Sequence, residues 1–269
     1  MLALHARRSF PAIEQFRHLH PTQPLIVALT GTDLYGDLKT SVEAQQSLEW
    51  ASRLIVLQPK GIEELPRHLH AKTHVIYQSV VGPKQTPAKP KTTFDACVLG
   101  HLREVKDPFR TALASRLLPP SSRLRVLHVG KALSDDMAQA ARAEAEANPR
   151  YHWLGELQRW RAQRVLARSH ILVLSSVMEG GANVISEALA VPVPVLASRI
   201  PGSIGLLGED YPGYFPVGNT QALAQLLDKV ERDMGFYQEL HDRCRQLLPL
   251  VHPDRERESW RQLLENLRT

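Results

Sequence analysis

The chain has 269 residues, 43% of them hydrophobic, which is enough for one large domain or two of ordinary size. No apolar run approaches the ~20 residues of a membrane-spanning helix, and "MLALHARRSF" lacks the order of a secretory signal, so a soluble cytoplasmic protein without membrane insertion is expected. Lys and Arg number 33 against 28 Asp and Glu, a formal charge of +5 with pI near 9.3, which favours anionic partners; the charge is spread along the chain without a basic tail, and nucleic acid is not the expected one. Cys97 and Cys244 are too few for a disulfide framework or a cysteine-based zinc site.

In chain order, "MLALHA" reads as a strand running into a loop. Strand-like runs follow at 24–30, 53–58, 74–79, 96–101, 124–130, 170–176 and 193–198. Most are unbroken apolar runs, as in a parallel sheet covered on both faces. Helix-like stretches at 135–148 and 159–168 alternate with them, which predicts a doubly wound α/β architecture. The interval 80–93 carries Pro83, Pro87, Pro90, Lys84, Lys89 and Lys91, with no large apolar residue after Val81, and reads as an extended linker. It separates a front domain, 1–93 with the linker, from a rear domain, 94–245. Residues 246–269 end in an amphipathic helix with Trp260, Leu263, Leu264 and Leu267 at apolar spacing. The front domain has few strands and no opening Gly-rich turn, so it is expected to be a partial doubly wound domain whose natural start lies upstream. A genuinely small front domain is the alternative.

Ligands of doubly wound sheets bind where strands pass into helices. After 96–99 come Gly100, His101, Arg103 and Lys106; after 124–129 come Gly130 and Lys131; after "HWL" comes "GEL" with Gly155 and Glu156. After "HILVL" comes "SSVMEGGANVISEALA", in which Glu179 and Glu187 lie on either side of Gly180 and Gly181. Glycines admit a ligand close to the backbone, cations and helix-start amides neutralise phosphate, and a carboxylate near a phosphate site pairs with vicinal hydroxyls. Taken singly, each glycine is an ordinary turn residue, and Arg103, Lys106 or Glu187 a solvated surface charge. Four such loops on one sheet edge point to a phosphorylated ligand.

These motifs occur in the order of the nucleotide-sugar half of the GT-B glycosyltransferases of retaining family four, which residues 94–230 resemble. The resemblance implies two Rossmann-like domains, with a nucleoside-diphosphate sugar bound in the rear one, an acceptor in the front one, and a final helix returning to the front domain. It assigns Lys106 to the diphosphate, with Arg103 standing in for the family's arginine, whose place His101 takes after Gly100. It assigns Glu179, Gly180, Gly181 and Ala182 to the donor sugar and phosphate, Asn183 and Val184 to the helix start, Glu187 to the ribose, and Leu154, Gly155 and Glu156 to the base. Arg103, Lys106 and Glu179 are the residues it makes catalytic.

"LHARRS", "LTGTDLY", "VIYQS", "GHLREVKDPFR", "MEGGANVISEALA" and "ASRIPGSIGLLGEDYPGYFPVG" together resemble, over nearly the whole chain, the selenosugar synthases of selenoneine biosynthesis. That likeness implies transfer of N-acetylglucosamine or glucose from UDP-GlcNAc or UDP-glucose to the selenium of selenophosphate, and it allows other pathway enzymes as partners. Selenophosphate is an anion and a strong nucleophile that needs little general-base help. His5, Arg7, Arg8, Thr32 and Asp33 are its expected contacts, with Ser9 able to cap a helix; Arg7 and Arg8 read equally as surface charges. No Asp-x-Asp pair follows a strand, and Ser134, Asp135 and Asp136 read as a helix cap, so metal-independent transfer is expected, without a cofactor. An oxygen or thiol acceptor remains a rival, as does a non-enzymatic sugar-nucleotide or nucleic-acid-binding protein. On this reading Glu187→Ala weakens donor binding and Arg7→Ala impairs acceptor use, which UDP titration and acceptor kinetics measure.

Overall fold

Unbroken apolar runs become parallel strands in two separate sheets. The structure is a computed structural model that describes residues 1–83 and 87–267, so the middle of the expected linker, 84–86, lies outside the described residues. The front sheet has the order β1 (Leu2–Leu4), β2 (Ile26–Ala28), β3 (Arg53–Val56) and β4 (Thr73–Val75), every pair parallel. The rear sheet contains β5 (Phe94–Leu99), β6 (Leu124–Val129), β7 (Tyr151–Trp153), β8 (Ile171–Leu174), β9 (Val195–Ser198) and β10 (Tyr214–Phe215). Its order is β10-β9-β8-β5-β6-β7, all parallel, so the chain first winds outward from β5 and then returns past it to β8. That reversal leaves a crevice beyond the carboxyl ends of β5 and β8, where loops diverge to opposite faces.

Side chains explain the layers. β5, β8 and β9 are buried along their whole length, as strands covered by helices on both faces must be. The helix Asp135–Ala147 begins at Ser134, whose hydroxyl accepts from the Met137 amide, so Ser134 does serve as a cap, with Asp135 and Asp136 in the first turn. Ser9 does not: its hydroxyl donates to the Leu4 carbonyl instead, and the helix Phe10–Leu19 starts without a side-chain cap. The run at 74–79 yields only the end of a short strand, because the chain leaves the sheet after Val75 and the Ser79 amide turns to Glu256. The two-residue β10 is too short to show a period in sequence.

The helix Pro253–Glu265 lies on the front sheet. Leu263 is buried among Ile26, Ala28, Ile55 and Ile76, with Trp260 and Leu267 beside it. Leu264, counted with them by spacing, is instead 48% exposed. Leu263→Ala therefore lowers stability by about 3 kcal/mol, whereas Leu264→Ala stays within about 0.5 kcal/mol, as urea unfolding of the two variants will measure.

Candidate functional site

All strands being parallel within each sheet, the loops at their carboxyl ends collect on one side, and the two sets face each other across a cleft. A cavity of about 380 Å³ there is lined by His5, Arg8, Thr30, Gly31, Thr32, Leu57 and Gln78 from the front half and Arg103, Val105, Met178, Glu179, Gly180 and Gly181 from the rear. A second recess of about 210 Å³ lies wholly in the rear half, among Gly100, His101, Gly130, Glu156, Leu157, Ala162, Val184 and Glu187. Between them Lys106, Ser175 and Ser176 join Gly100 and His101 around a small hollow. Residues far apart in sequence thus line neighbouring hollows along the same sheet edge.

On the rear wall, Glu179 accepts from Ser176 Oγ at 2.7 Å and is ion-paired through the same carboxylate oxygen with Lys106. The β5 and β8 loops are further tied by Val177 N–H donating to the Val105 carbonyl at 2.9 Å and by Ser175 Oγ donating to the Asp107 carbonyl at 2.9 Å. Arg103 is exposed and, among the described residues, has no carboxylate partner. The helix Asn183–Ala190 begins at buried Ala182 without a side-chain cap, so its first amides remain for a ligand.

In the second recess, burial pushes the Glu187 carboxyl above the ordinary glutamate range, with Arg159 opposing. Asn183 Nδ2 lies 3.5 Å from its Oε1. His101 accepts from the Lys131 amide at 3.1 Å through Nδ1, which fixes the ring where it lines the recess. Gly155 adopts φ 68°, a left-handed conformation that glycine takes without strain, and its carbonyl accepts from the Gly130 amide at 2.8 Å. Glu156 beside it is exposed.

One residue was not read from the sequence. His128, inside β6, lies 3.2 Å from the Gly100 carbonyl through Nε2 and 2.9 Å from Tyr151 Oη through Nδ1. A carbonyl can only accept, so Nε2 holds the proton and Nδ1 accepts from the tyrosine. Burial pushes this imidazole down to about 4, and the neutral ring anchors the β5 loop from beneath. Its only signal was a polar residue within an apolar strand run.

On the front wall the residues expected to meet the acceptor are placed differently from one another. Asp33 is fully buried: Oδ1 accepts from the Ala6 amide at 2.9 Å and lies 2.7 Å from His5 Nδ1, while Oδ2 accepts from the Thr30 amide at 2.8 Å and from Thr30 Oγ1 at 3.1 Å. It closes the capping box of the helix Gly31–Tyr35 and holds His5, and has no free face for an acceptor. Arg7 is turned to Asp37, with Nε 3.0 Å from Oδ1, whereas exposed Arg8 lines the cleft. His5 itself has φ 77°, a strained conformation for a side-chain-bearing residue, and presents Nε2 to Thr32 Oγ1 at 2.9 Å. Ligating atoms of His5, Asp33 and Asp37 lie within 4.8 Å of one another, and they are hydrogen-bonded to backbone amides, to each other and to Arg7.

The architecture has solved counterparts. Anabaena HepE in complex with UDP and glucose matches with a TM-score of 0.79 and 17% identity over 99% of this chain and 77% of that one. A UDP-forming α,α-trehalose-phosphate synthase from Burkholderia xenovorans matches with a TM-score of 0.80 and 13% identity over 100% and 74%. At these identities the likeness is one of fold, the two-sheet GT-B arrangement. In sequence, the glycosyltransferase 1 domain-containing protein 1 of Xenopus tropicalis is 25% identical over 263 residues, 88% of this chain and 74% of that protein. The family model for glycosyl transferases group 1 matches residues 83–247. The chain belongs to that glycosyl transferases group 1 family, and its fold is α/β of the GT-B kind.

Proposed function

We propose that the chain transfers N-acetylglucosamine or glucose from a UDP-sugar to the selenium of selenophosphate. The observation that carries this reading is the pair of arginines, Arg8 from the front half and Arg103 from the rear, lining one cleft without carboxylate partners among the described residues. Two such cations fit a small polyanion next to a diphosphate leaving group. The UDP bound by HepE in its solved complex supports the donor class, and the resemblance of the sequence motifs to those of selenosugar synthases supports the acceptor.

In this reading the nucleoside occupies the recess of Gly100, His101, Glu156 and Glu187, with Glu187 accepting from ribose hydroxyls. The diphosphate runs over Lys106 and the start of the helix Asn183–Ala190, and Glu179 with Gly180 and Gly181 holds the sugar. Selenium gives its electron pair to the anomeric carbon, forming C–Se. The bond from that carbon to the β-phosphate oxygen breaks, and its pair leaves on UDP, where Arg103, Lys106 and the helix amides stabilise it. No metal or cofactor enters this scheme.

One observation favours a second reading. His5 lies in the cleft with Nδ1 2.7 Å from Asp33 Oδ1 and Nε2 2.9 Å from Thr32 Oγ1, an imidazole–carboxylate pair of the kind that takes a proton from a hydroxyl or thiol acceptor. Mass spectrometry after incubating a UDP-sugar with selenophosphate, or with hydroxyl and thiol acceptors, decides between them: a selenium-containing sugar is expected, and product only from the other acceptors would overturn the first reading.

Removing Arg8 with Arg8→Ala should raise KM for selenophosphate about 10- to 100-fold and leave UDP affinity unchanged, while Arg7→Ala does less because Asp37 holds that guanidinium. Steady-state kinetics with each substrate varied will separate the two. Glu187 yields a pH dependence. Its raised pKa means that acidification protonates the ribose-accepting carboxylate before ordinary glutamates titrate, so UDP affinity falls with decreasing pH from above their range. In Glu187→Gln, calorimetric titration should find affinity at neutral pH about 10- to 100-fold weaker and this pH dependence gone.

A further inference from the structure

Where the halves meet, glycine faces glycine. A Cβ added at Gly31 would lie 2.6 Å from the Gly180 nitrogen and 3.1 Å from the Glu179 carbonyl carbon; one added at Gly180 would lie 2.7 Å from the Thr30 carbonyl carbon and 2.9 Å from Gly31 Cα. Neighbouring contacts are as close: a Cβ at Gly181 would lie 2.5 Å from Leu57 Cβ, and one at Gly205 would overlap the Gln58 amide. The obstacle between Gly31 and Gly180 is main chain, which cannot rotate aside as a side chain can. Neither glycine has a positive φ, so backbone conformation does not call for glycine at either place. Proximity does.

Gly31 begins the helix Gly31–Tyr35, next to Thr32, and Gly180 follows Glu179. Their contact therefore sets the separation between the front-wall groups His5, Arg8 and Thr32 and the rear-wall group Glu179. The nucleotide recess, by contrast, is built entirely from rear-half residues.

We propose that Gly31 is a positioning residue for glycosyl transfer: the side chain it lacks allows the acceptor loop to seat directly on the Glu179–Gly180 backbone, which fixes the distance across which the sugar moves. This rests on the reading of the cleft as the site of transfer. A methyl group at Gly31 has to push the two walls apart, and displacements of about 1 Å between reacting groups cost on the order of 100-fold in rate.

The test compares Gly31→Ala, Gly180→Ala and the double variant in the full chain. Gly31→Ala should bind UDP within about twofold of wild type while kcat falls about 10- to 100-fold. The double variant should lose less than the product of the two single losses, because both methyl groups wedge the same contact. Amide hydrogen exchange should rise together in 31–35 and 179–183 of Gly31→Ala, a readout that needs no acceptor and reports the contact whatever the substrate. Unchanged kcat, UDP affinity lost in parallel with kcat, multiplicative losses or unaltered exchange would each overturn the proposal. If Gly31→Ala does not fold, Gly180→Ala answers from the other wall through the same kcat and exchange measurements. A wild-type chain that releases no UDP with any acceptor would instead refute the reading of the cleft, with the exchange result still standing on its own.

Discussion

The close approach of two backbones, Thr30–Gly31 from one half and Glu179–Gly180 from the other, is the constraint on which the site depends. Side chains between protein layers usually set separations of about 10 Å, but here main chain touches main chain. The loops of two sheets therefore meet while each keeps its own core, one around Leu54, Val27 and Leu48, the other around Ala96, Leu172 and Leu196. Neither sheet alone could line the larger cavity on both sides.

Charge is distributed along that seam in a consistent way. Lys106 is neutralised by Glu179 and Arg7 by Asp37, whereas Arg8 and Arg103, the arginines that line the larger cavity, have no carboxylate partner among the described residues. Glu187, in the rear recess, is a half-buried carboxylate whose raised pKa reflects lost water rather than a neighbouring anion. A ligand that brings hydroxyls to Glu187 and negative charge to the cleft satisfies both at once. It would also compete with Glu179 for Lys106, and the ion pair then holds both groups in place until that exchange occurs.

Much of this was legible in the sequence because parallel strands covered on both faces are unbroken apolar runs, and because the residues after them are confined to one sheet edge. The runs at 124–130 and 193–198 contain β6 and β9, and the loops after β5 and β8 do come together. What could not be read were pairings across sequence distance. Asp33 is three residues from a helix cap and looks like a surface acid until Ala6 and His5, 27 and 28 positions earlier, close over it. Arg7 and Arg8 are equivalent as letters, and only the turn after His5, with its positive φ, sends one to Asp37 and the other to the cleft. His128 was hidden because a strand period says which face a residue takes, not which carbonyl it meets.

The chain crosses between the halves twice, and the two crossings are bonded to each other. The Val80 amide donates to the Val251 carbonyl at 3.0 Å, the Ser79 amide to Glu256 Oε2 at 2.9 Å, and Arg255 lies over the Tyr77 ring at 5.4 Å. Elsewhere on the seam, Lys60 reaches Glu209 at 2.8 Å, an exposed pair that salt and solvent weaken. The seam is also packed by side chains, Leu57 against Gly181 and buried Gln58 against Gly205, and the glycine contact, which has no side chain to interlock, sits among them. The larger cavity thus takes its lining from both halves, whereas the rear recess, with its own anchor in His128, is built from one half alone.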